Sequence, residues 1–516
     1  MSKLFKVIYL CACVCVGAET AKILGVFPTP SISHQVVFRP LMLELAKRGH
    51  EVTVITTDPA YPKHQAPQNL TEIDVHDMSY DYVKDFLVIH GKEKNPIKLS
   101  HVACDFILGV FVMQFKSAEI ENLLQSNKQF DLIIVESYIR PALIFSYLYN
   151  APVIEFSSLG GINSALEMVG AVTHPLIYPN ALQRRTHNLT FWEKITVLYY
   201  YYATEFIFAQ HEQTENDVLR SIIGSNIPNL KDLRQNVRML FLNVHPLWDF
   251  NRPVPPNVLY LGGMHLKPQQ DLPKDLKSYL DASKNGVIYV SFGTNVKPSV
   301  FPRETLKIFT DAFSQLPYDV LWKWDNDELP GRPKNVKVSK WLPQSDLLRH
   351  PKIKLFITQG GLQSTDEAIT AGVPLIGIPI LGDQWFNVEQ YVKFNIGKEL
   401  AIETMTEEQL MAAIKTVIDD KSYRQNIVKL RNFMKDQPQS SLERAVWWTE
   451  HVLRHSDVEY RRTPAASVHW TEYYELGIVV LLLSCLVVFL SVAVLAIYFI
   501  VSKFEYYTHL KIKKKL

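Results

Sequence analysis

With 516 residues the chain is longer than one hydrophobic core serves, and length alone favours two domains of roughly 200 residues each. Hydrophobic residues at 47% and charged residues at 21% exclude a disordered chain and supply apolar side chains for two cores. The 54 lysines and arginines nearly cancel the 52 acids to leave +2, so there is no field to gather nucleic acid or another polyanion.

Lys3 and Lys6 precede an uncharged run, residues 7–18, that closes on Val16, Gly17 and Ala18. The run is too short to cross ~30 Å of hydrocarbon and reads as a cleaved secretory signal peptide over residues 1–18. Strands are predicted at 22–27, 51–57, 131–136, 152–157 and 239–244, alternating with helical stretches. A second alternating set falls at 286–292, 320–324, 336–339, 354–358, 374–378 and 399–402. This pattern predicts two doubly wound α/β domains with parallel sheets. Boundaries follow at 19–265 and 285–438, joined by a linker at 266–284 that contains Pro268 and Pro273. Residues 61–130 and 160–235 carry no strong period. Insertions of that size in a doubly wound domain line or cover a pocket. Tyr199–Tyr202 fit three places equally, a substrate wall, a membrane-facing patch or a helix core.

Residues 439–475 read as returning helices and a juxtamembrane segment, with Trp447 and Trp448 on one helix. Residues 476–502 carry no charge and, at ~1.5 Å per residue, cross a bilayer with length to spare. Beyond them Lys503, Lys511, Lys513, Lys514 and Lys515 face only Glu505, which predicts a cytosolic basic tail at 503–516. Lys513 and Lys514, fourth and third from the end, resemble a dilysine retrieval signal. The expectation is a single-pass type I protein of the endoplasmic reticulum membrane with its catalytic part in the lumen. Cys104 is then alone in the lumenal part, which rules out a disulfide within it and a Cys-rich metal site. Asn69 and Asn188 stand in glycosylation tripeptides.

Two stretches carry chemistry. Residues 356–384 read FITQGGLQSTDEAITAGVPLIGIPILGDQ. A strand ending at Thr358 runs into Gln359, Gly360 and Gly361, followed by a helix predicted to open near Ser364. Paired glycines let backbone approach a phosphate, and free amides at a helix start favour negative charge. Glu367, one turn into that helix, can accept hydrogen bonds from ribose hydroxyls. Asp383 and Gln384, past the next strand, suit a polyhydroxyl ligand. Earlier, His34 sits at a helix start just beyond the first strand. Its imidazole suits a general base, and a capping or surface role fits the position as well.

The 356–384 run resembles the nucleotide-sugar signature of the UDP-glycosyltransferase superfamily, and the similarity extends over nearly the whole chain, closest in style to arthropod members. The resemblance implies two Rossmann-like domains facing across a cleft, the GT-B arrangement, plus one C-terminal transmembrane helix. It implies that Trp341 stacks on uracil and that Gln344 meets uracil or ribose. Ser291, Gly293 and Thr294 would face the phosphates, with Gln359, Gly360, Gly361, Gln363 and Ser364 nearby, while Asp383 and Gln384 would contact the sugar. It makes His34 the base, with Glu136, at the end of the 131–136 strand, as its orienting acid where relatives commonly have aspartate. Gln359 stands where many relatives have histidine, and Gln363 where many have asparagine. The implied reaction is inverting transfer of a hexose, glucose favoured over glucuronate, from the UDP-sugar co-substrate to a small lipophilic alcohol or phenol. Neither a metal nor a further cofactor is expected, and homo- or hetero-association is left open. A non-catalytic UDP-sugar-binding protein and a transferase acting on protein or lipid-linked glycan are the competing readings.

Overall fold

The computed structural model describes residues 20–513 apart from 64, 91–94, 456–462, 464–467 and 469, so the signal peptide expected at 1–18 lies outside the described residues. The first sheet has seven parallel strands, β1 (Lys22–Phe27), β2 (Glu51–Thr56), β3 (Leu70–Asp74), β4 (Leu132–Glu136), β5 (Val153–Ser157), β6 (Val237–Leu242) and β7 (Val258–Tyr260). Their order is β3-β2-β1-β4-β5-β6-β7. The second has six, β8 (Val287–Ser291), β9 (Asp319–Lys323), β10 (Val336–Ser339), β11 (Ile353–Thr358), β12 (Leu375–Gly377) and β13 (Gly397–Glu399), ordered β10-β9-β8-β11-β12-β13.

The central strands form because their side chains are apolar on both faces, the signature of a sheet covered by helices on each side. In β4, Leu132 and Ile134 join a core with Val37, Leu41 and Val446, while Ile133 and Val135 point into another with Phe111, Phe145 and Leu219. Each such fully buried side chain stabilises the fold by about 1.5–3 kcal/mol. The helices that matter below are α1 (Ile32–Lys47), α2 (Pro96–Phe115), α3 (Phe191–Ile223), α4 (Leu362–Ala371), α5 (Gln384–Lys393), α6 (Ser441–Arg454) and α7 (Leu476–Lys513).

Three edge strands depart from the sequence expectation. β3 reads LTEID with no buried residue, and β7 is apolar but only three residues long. β13 lies at Gly397–Glu399 rather than 399–402, paired to β12 through Leu375↔Gly397. The stretch placed in the linker holds a helix, Lys274–Ala282, whose Leu276 and Leu280 are buried beside second-domain residues such as Val287 and Leu348.

The two domains share apolar and polar contacts. Trp248 donates its indole N–H to Asn387 at 2.9 Å and stacks on Phe394. α6 returns to the first domain, where Ala445, Val446 and Val452 enter the core beside β1 and Ser441 bonds the Gly262 carbonyl at 2.9 Å. Residues up to Arg462 form one compact unit and those from Thr463 a second. The second is dominated by α7, which is long and apolar enough by length and composition to cross a membrane.

One buried acid stands outside these networks. Glu155 on β5 is 1% exposed, its Oε2 lacks a partner, and burial pushes its carboxyl up to about 8, only partly opposed by Arg234. A folded-state value raised above the unfolded one means the native state holds the extra proton, so this residue costs stability progressively as pH rises from the ordinary carboxyl range to about 8. Glu155→Gln is expected to raise the thermal midpoint by several degrees at pH 8 and by little at pH 4, a difference that scanning calorimetry at the two pH values checks.

Candidate active site

In an open α/β sheet a crevice opens beyond the carboxyl ends of the strands where the winding direction reverses. In the first sheet the reversal lies between β1 and β4, paired through Val26↔Val135, and in the second between β8 and β11, paired through Thr358↔Ser291. The candidate residues gather at these two points.

At the first point, the turn after β1 is clamped by Gln35, whose amide donates to the Phe27 and Thr29 carbonyls at 2.9 and 3.0 Å. This sets α1 so that His34, in its first turn, projects over the end of β4. Glu136, the last residue of β4, is wholly buried. One of its oxygens lies 2.9 Å from His34 Nδ1, and the other accepts the Thr29 amide at 3.2 Å. The glutamate thus reaches the ring despite its extra methylene. Because a carboxylate only accepts, the ring proton belongs on Nδ1 and the lone pair on Nε2, which has no hydrogen bond to any described residue.

Two further groups crowd Nδ1 that sequence reasoning missed. Tyr138 Oη lies 2.6 Å from it, and Ser158 Oγ lies 3.1 Å from Nδ1 and 2.5 Å from Tyr138 Oη. Burial, then the neighbouring Glu136, holds the Tyr138 phenol far above its usual range, so it stays a neutral hydroxyl. The available signal was position: Tyr138 and Ser158 follow the adjacent strands β4 and β5 directly.

At the second point, Gly293 has a left-handed φ of 73°, and a Cβ there would lie 2.1 Å from the Gln359 amide nitrogen. Gln359 is buried with its side-chain oxygen unpartnered. Gly360 likewise has a φ of 91°, and a Cβ would press within 2.5 Å of Val388 and 3.1 Å of the Gln384 carbonyl. α4 opens at Leu362, two residues earlier than expected, capped by Gly361, which has no side chain to offer, and with the Asp383 carboxyl bonding the Leu362 amide. The remaining amides of a helix start suit an anion. Ser291 and Thr294 flank the Gly293 turn, with the Ser291 hydroxyl accepting the Gly293 amide at 3.3 Å. The Trp341 indole is 67% exposed, one face available for a planar base.

Two candidates have protein partners of their own. The Gln344 amide is committed internally, accepting from Tyr289 Oη at 2.9 Å and donating to Ser364 Oγ at 2.8 Å and Glu367 at 2.7 Å. It holds Glu367 in place, with one lone pair of Oε1 and the backbone left over. The Gln363 side chain spans the cleft to donate to the Ser158 carbonyl at 3.1 Å, because the first turn of α4 faces the first domain. His265 contacts the Gln363 carbonyl at 3.1 Å. In the last donor loop, Gln384 Oε1 accepts the Ile380 and Leu381 amides at 2.8 and 2.9 Å, leaving its NH2 group for a ligand. Asp383 accepts from Asn387 at 2.7 Å, and burial raises its carboxyl to about 6 against the lowering effects of Asn387 and of His34 across the cleft. Among the described residues no cluster of three His, Cys, Asp or Glu could hold a metal.

The Tyr138 hydroxyl gives a direct test. Tyr138→Phe keeps the ring packing and is expected to lower turnover about tenfold, the scale of one hydrogen bond, with little change in KM for the donor. Unchanged turnover in steady-state kinetics would remove Tyr138 from the base assembly.

The model of the family described as UDP-glucoronosyl and UDP-glucosyl transferase matches residues 21–516. An ecdysteroid UDP-glucosyltransferase of Spodoptera littoralis nuclear polyhedrosis virus is 37% identical, with 89% of this chain and 93% of the relative covered. A UDP-glucosyltransferase 2 of Dactylopius coccus is 31% identical, with 90% of each covered. Among solved structures, the UDP complex of a UDP-glucose: anthocyanidin 3-O-glucosyltransferase aligns with a TM-score of 0.55 at 18% identity, covering 84% of this chain and 99% of that one. The calicheamicin glycosyltransferase CalG4 aligns with a TM-score of 0.56 at 15% identity, covering 85% and 99%. With its GT-B fold and a family match running from residue 21 to residue 516, the chain belongs to the UDP-glucuronosyl and UDP-glucosyl transferase family and is a UDP-glycosyltransferase.

Proposed function

We propose that this UDP-glycosyltransferase moves glucose from UDP-glucose, with inversion, to a hydroxyl of a small lipophilic acceptor, in the lumen of the endoplasmic reticulum and held in its membrane by α7. The observation that carries the reading is the His34–Glu136 pair at the first sheet's reversal point, opposite the donor loops at the second. In this reaction Nε2 of His34 takes the acceptor proton as the hydroxyl oxygen attacks the anomeric carbon. The bond from that carbon to the β-phosphate oxygen breaks, and UDP leaves with the electron pair. Glu136 stabilises the imidazolium that forms. The α4 amides, the Gly360–Gly361 turn and the neutral Gln359 face the departing diphosphate, where hydrogen-bond donors stabilise developing charge. Asp383 and the free Gln384 amide take the sugar hydroxyls.

Glucose as donor is supported by the relatives, named as UDP-glucosyltransferases. The viral relatives are named for ecdysteroid, which makes a hydroxylated steroid one acceptor to assay beside simple phenols. Membrane anchoring is supported by the length and apolarity of α7.

His34→Ala is expected to lower turnover by 10²–10⁴, the usual weight of a general base. Full activity in the variant would sink the assignment, and a clear preference for UDP-glucuronate in donor competition would overturn glucose. Asp383 adds a pH signature. Its carboxyl gains a proton as pH falls through about 6 and then accepts fewer hydroxyl donors, so KM for UDP-glucose should rise below that pH. The Asp383→Asn variant should show a flat KM between pH 5 and 7.5; a flat wild-type profile would exclude Asp383 from sugar binding.

A further inference from the structure

Ser364 and Glu367 of α4 belong to the candidate donor site, whereas Asp366, Ile369 and Thr370, on another face of the same helix, line a cavity of ≈ 330 Å³. Its other walls include the two stretches of chain that connect the domains. Gly262, Gly263 and Leu266 come from the outgoing stretch, and Gln437, Gln439 and Ser441 from the returning one. The volume falls in the range of small-molecule sites, ~300–1,000 Å³. No residue of the proposed reaction lines it.

The walls carry charged and polar groups that the protein itself leaves unanswered. Arg431 and Lys435 stand one turn apart on the helix Lys421–Lys435, and both line the cavity. Among the described residues neither has an ion-pair partner, and Arg431 makes one side-chain hydrogen bond, from Nε to Asn432 at 3.2 Å. Its guanidinium lies against the end of α4, where a Cβ on Gly372 would meet it at 3.3 Å. A helix end offers about half a negative charge, less than two cations need. Burial, then Arg431 and Arg349, pulls the Lys435 ammonium below its usual range. His245, also in the wall, adds no charge at neutral pH, because burial lowers it to about 4. In the α4 wall, Asp366 is 7% exposed and its Oδ2 has no partner. Burial, then Glu367, pushes its carboxyl up to about 8, so at neutral pH it is an uncharged group that both donates and accepts. A hydroxyl answers such a group better than an ammonium does.

We propose that this cavity is a second binding site, for a small polyhydroxylated anion whose phosphate or carboxylate rests on Arg431 and Lys435 and whose hydroxyls reach Asp366. The two unpaired cations select the charge, through charge-assisted hydrogen bonds. An anion without hydroxyls would leave Asp366 Oδ2 buried and unpartnered, at a cost that a hydroxyl removes. The Thr370 and Ser441 hydroxyls and the Gln439 amide supply further neutral partners around it. A hexose phosphate has one charged end, several hydroxyls and a size the cavity admits. Its occupant and the nucleotide sugar would touch one helix, α4, on two faces.

The test is titration calorimetry on the full chain in detergent at neutral pH. The probes are glucose 6-phosphate and gluconate, one for each anionic group, with glucose and inorganic phosphate as the separated halves. At least one of the two anionic polyols is expected to bind with a Kd below ~1 mM, about tenfold tighter than glucose or phosphate alone. Binding of neither overturns the proposal, and so does inorganic phosphate binding equally well. Arg431→Gln combined with Lys435→Gln should weaken the bound polyol about tenfold or more. Asp366→Ala should weaken it about fivefold and leave inorganic phosphate unchanged. Unchanged polyol affinity in either variant overturns the assignment, with UDP affinity measured beside it as the control for folding. Saturating UDP should leave the polyol bound, and displacement would put it in the donor site instead. Hydrogen exchange on the wild type is independent of variant folding. The polyol should slow exchange at residues 260–266 and 437–441, and protection confined to the donor loops would overturn the site.

Discussion

A single buried carboxyl group, that of Glu136, determines what the first domain can do. It ends a strand whose other residues are apolar on both faces, so it has no route to solvent and must find its partners inside the protein. It finds them in the Thr29 amide and in His34, and both belong to the turn that follows the neighbouring strand. The same contacts that satisfy the buried group therefore fix the ring, select its tautomer and aim Nε2 into the cleft. Tyr138 and Ser158 complete the enclosure around Nδ1, and little of the ring remains free to rotate.

The second domain solves a different problem with the same topology. The proposed ligand is an anion. Close-approach glycines and the helix start at Gly361 would offer it neutral donors. Side chains around them are arranged largely by one another: Gln344 holds Ser364 and Glu367, while Gln384 folds back on its own loop. Such preorganisation leaves the amides pointing at the ligand without reorganisation on binding.

Much of this was legible in the sequence because parallel central strands are apolar runs and because their carboxyl ends are where ligands bind. β1, β4, β8 and β11 follow from pattern alone, and with them the neighbourhoods of His34, Glu136, Ser291 and Gln359. What was not legible depends on contacts between elements distant in the chain. β3 and β7 are edge strands with too little apolar pattern to register. Gln344 and Gln363 stand at motif positions that the family resemblance links to the ligand, and a glutamine's reach lets each bond protein as well. Tyr138 and Ser158 carry no motif at all; only the adjacency of β4 and β5 brings them to the imidazole. The aromatic run on α3 fitted a core equally well, because side-chain periodicity defines a face without saying what lies against it.

Ser158 has a consequence for how the two substrates are kept in step. Its hydroxyl touches the imidazole, while its carbonyl receives the amide of Gln363 from the donor helix. One residue of the first domain thus reports the position of the second directly to the base. The contact that seats the donor helix and the contact that steadies the ring therefore share a single residue.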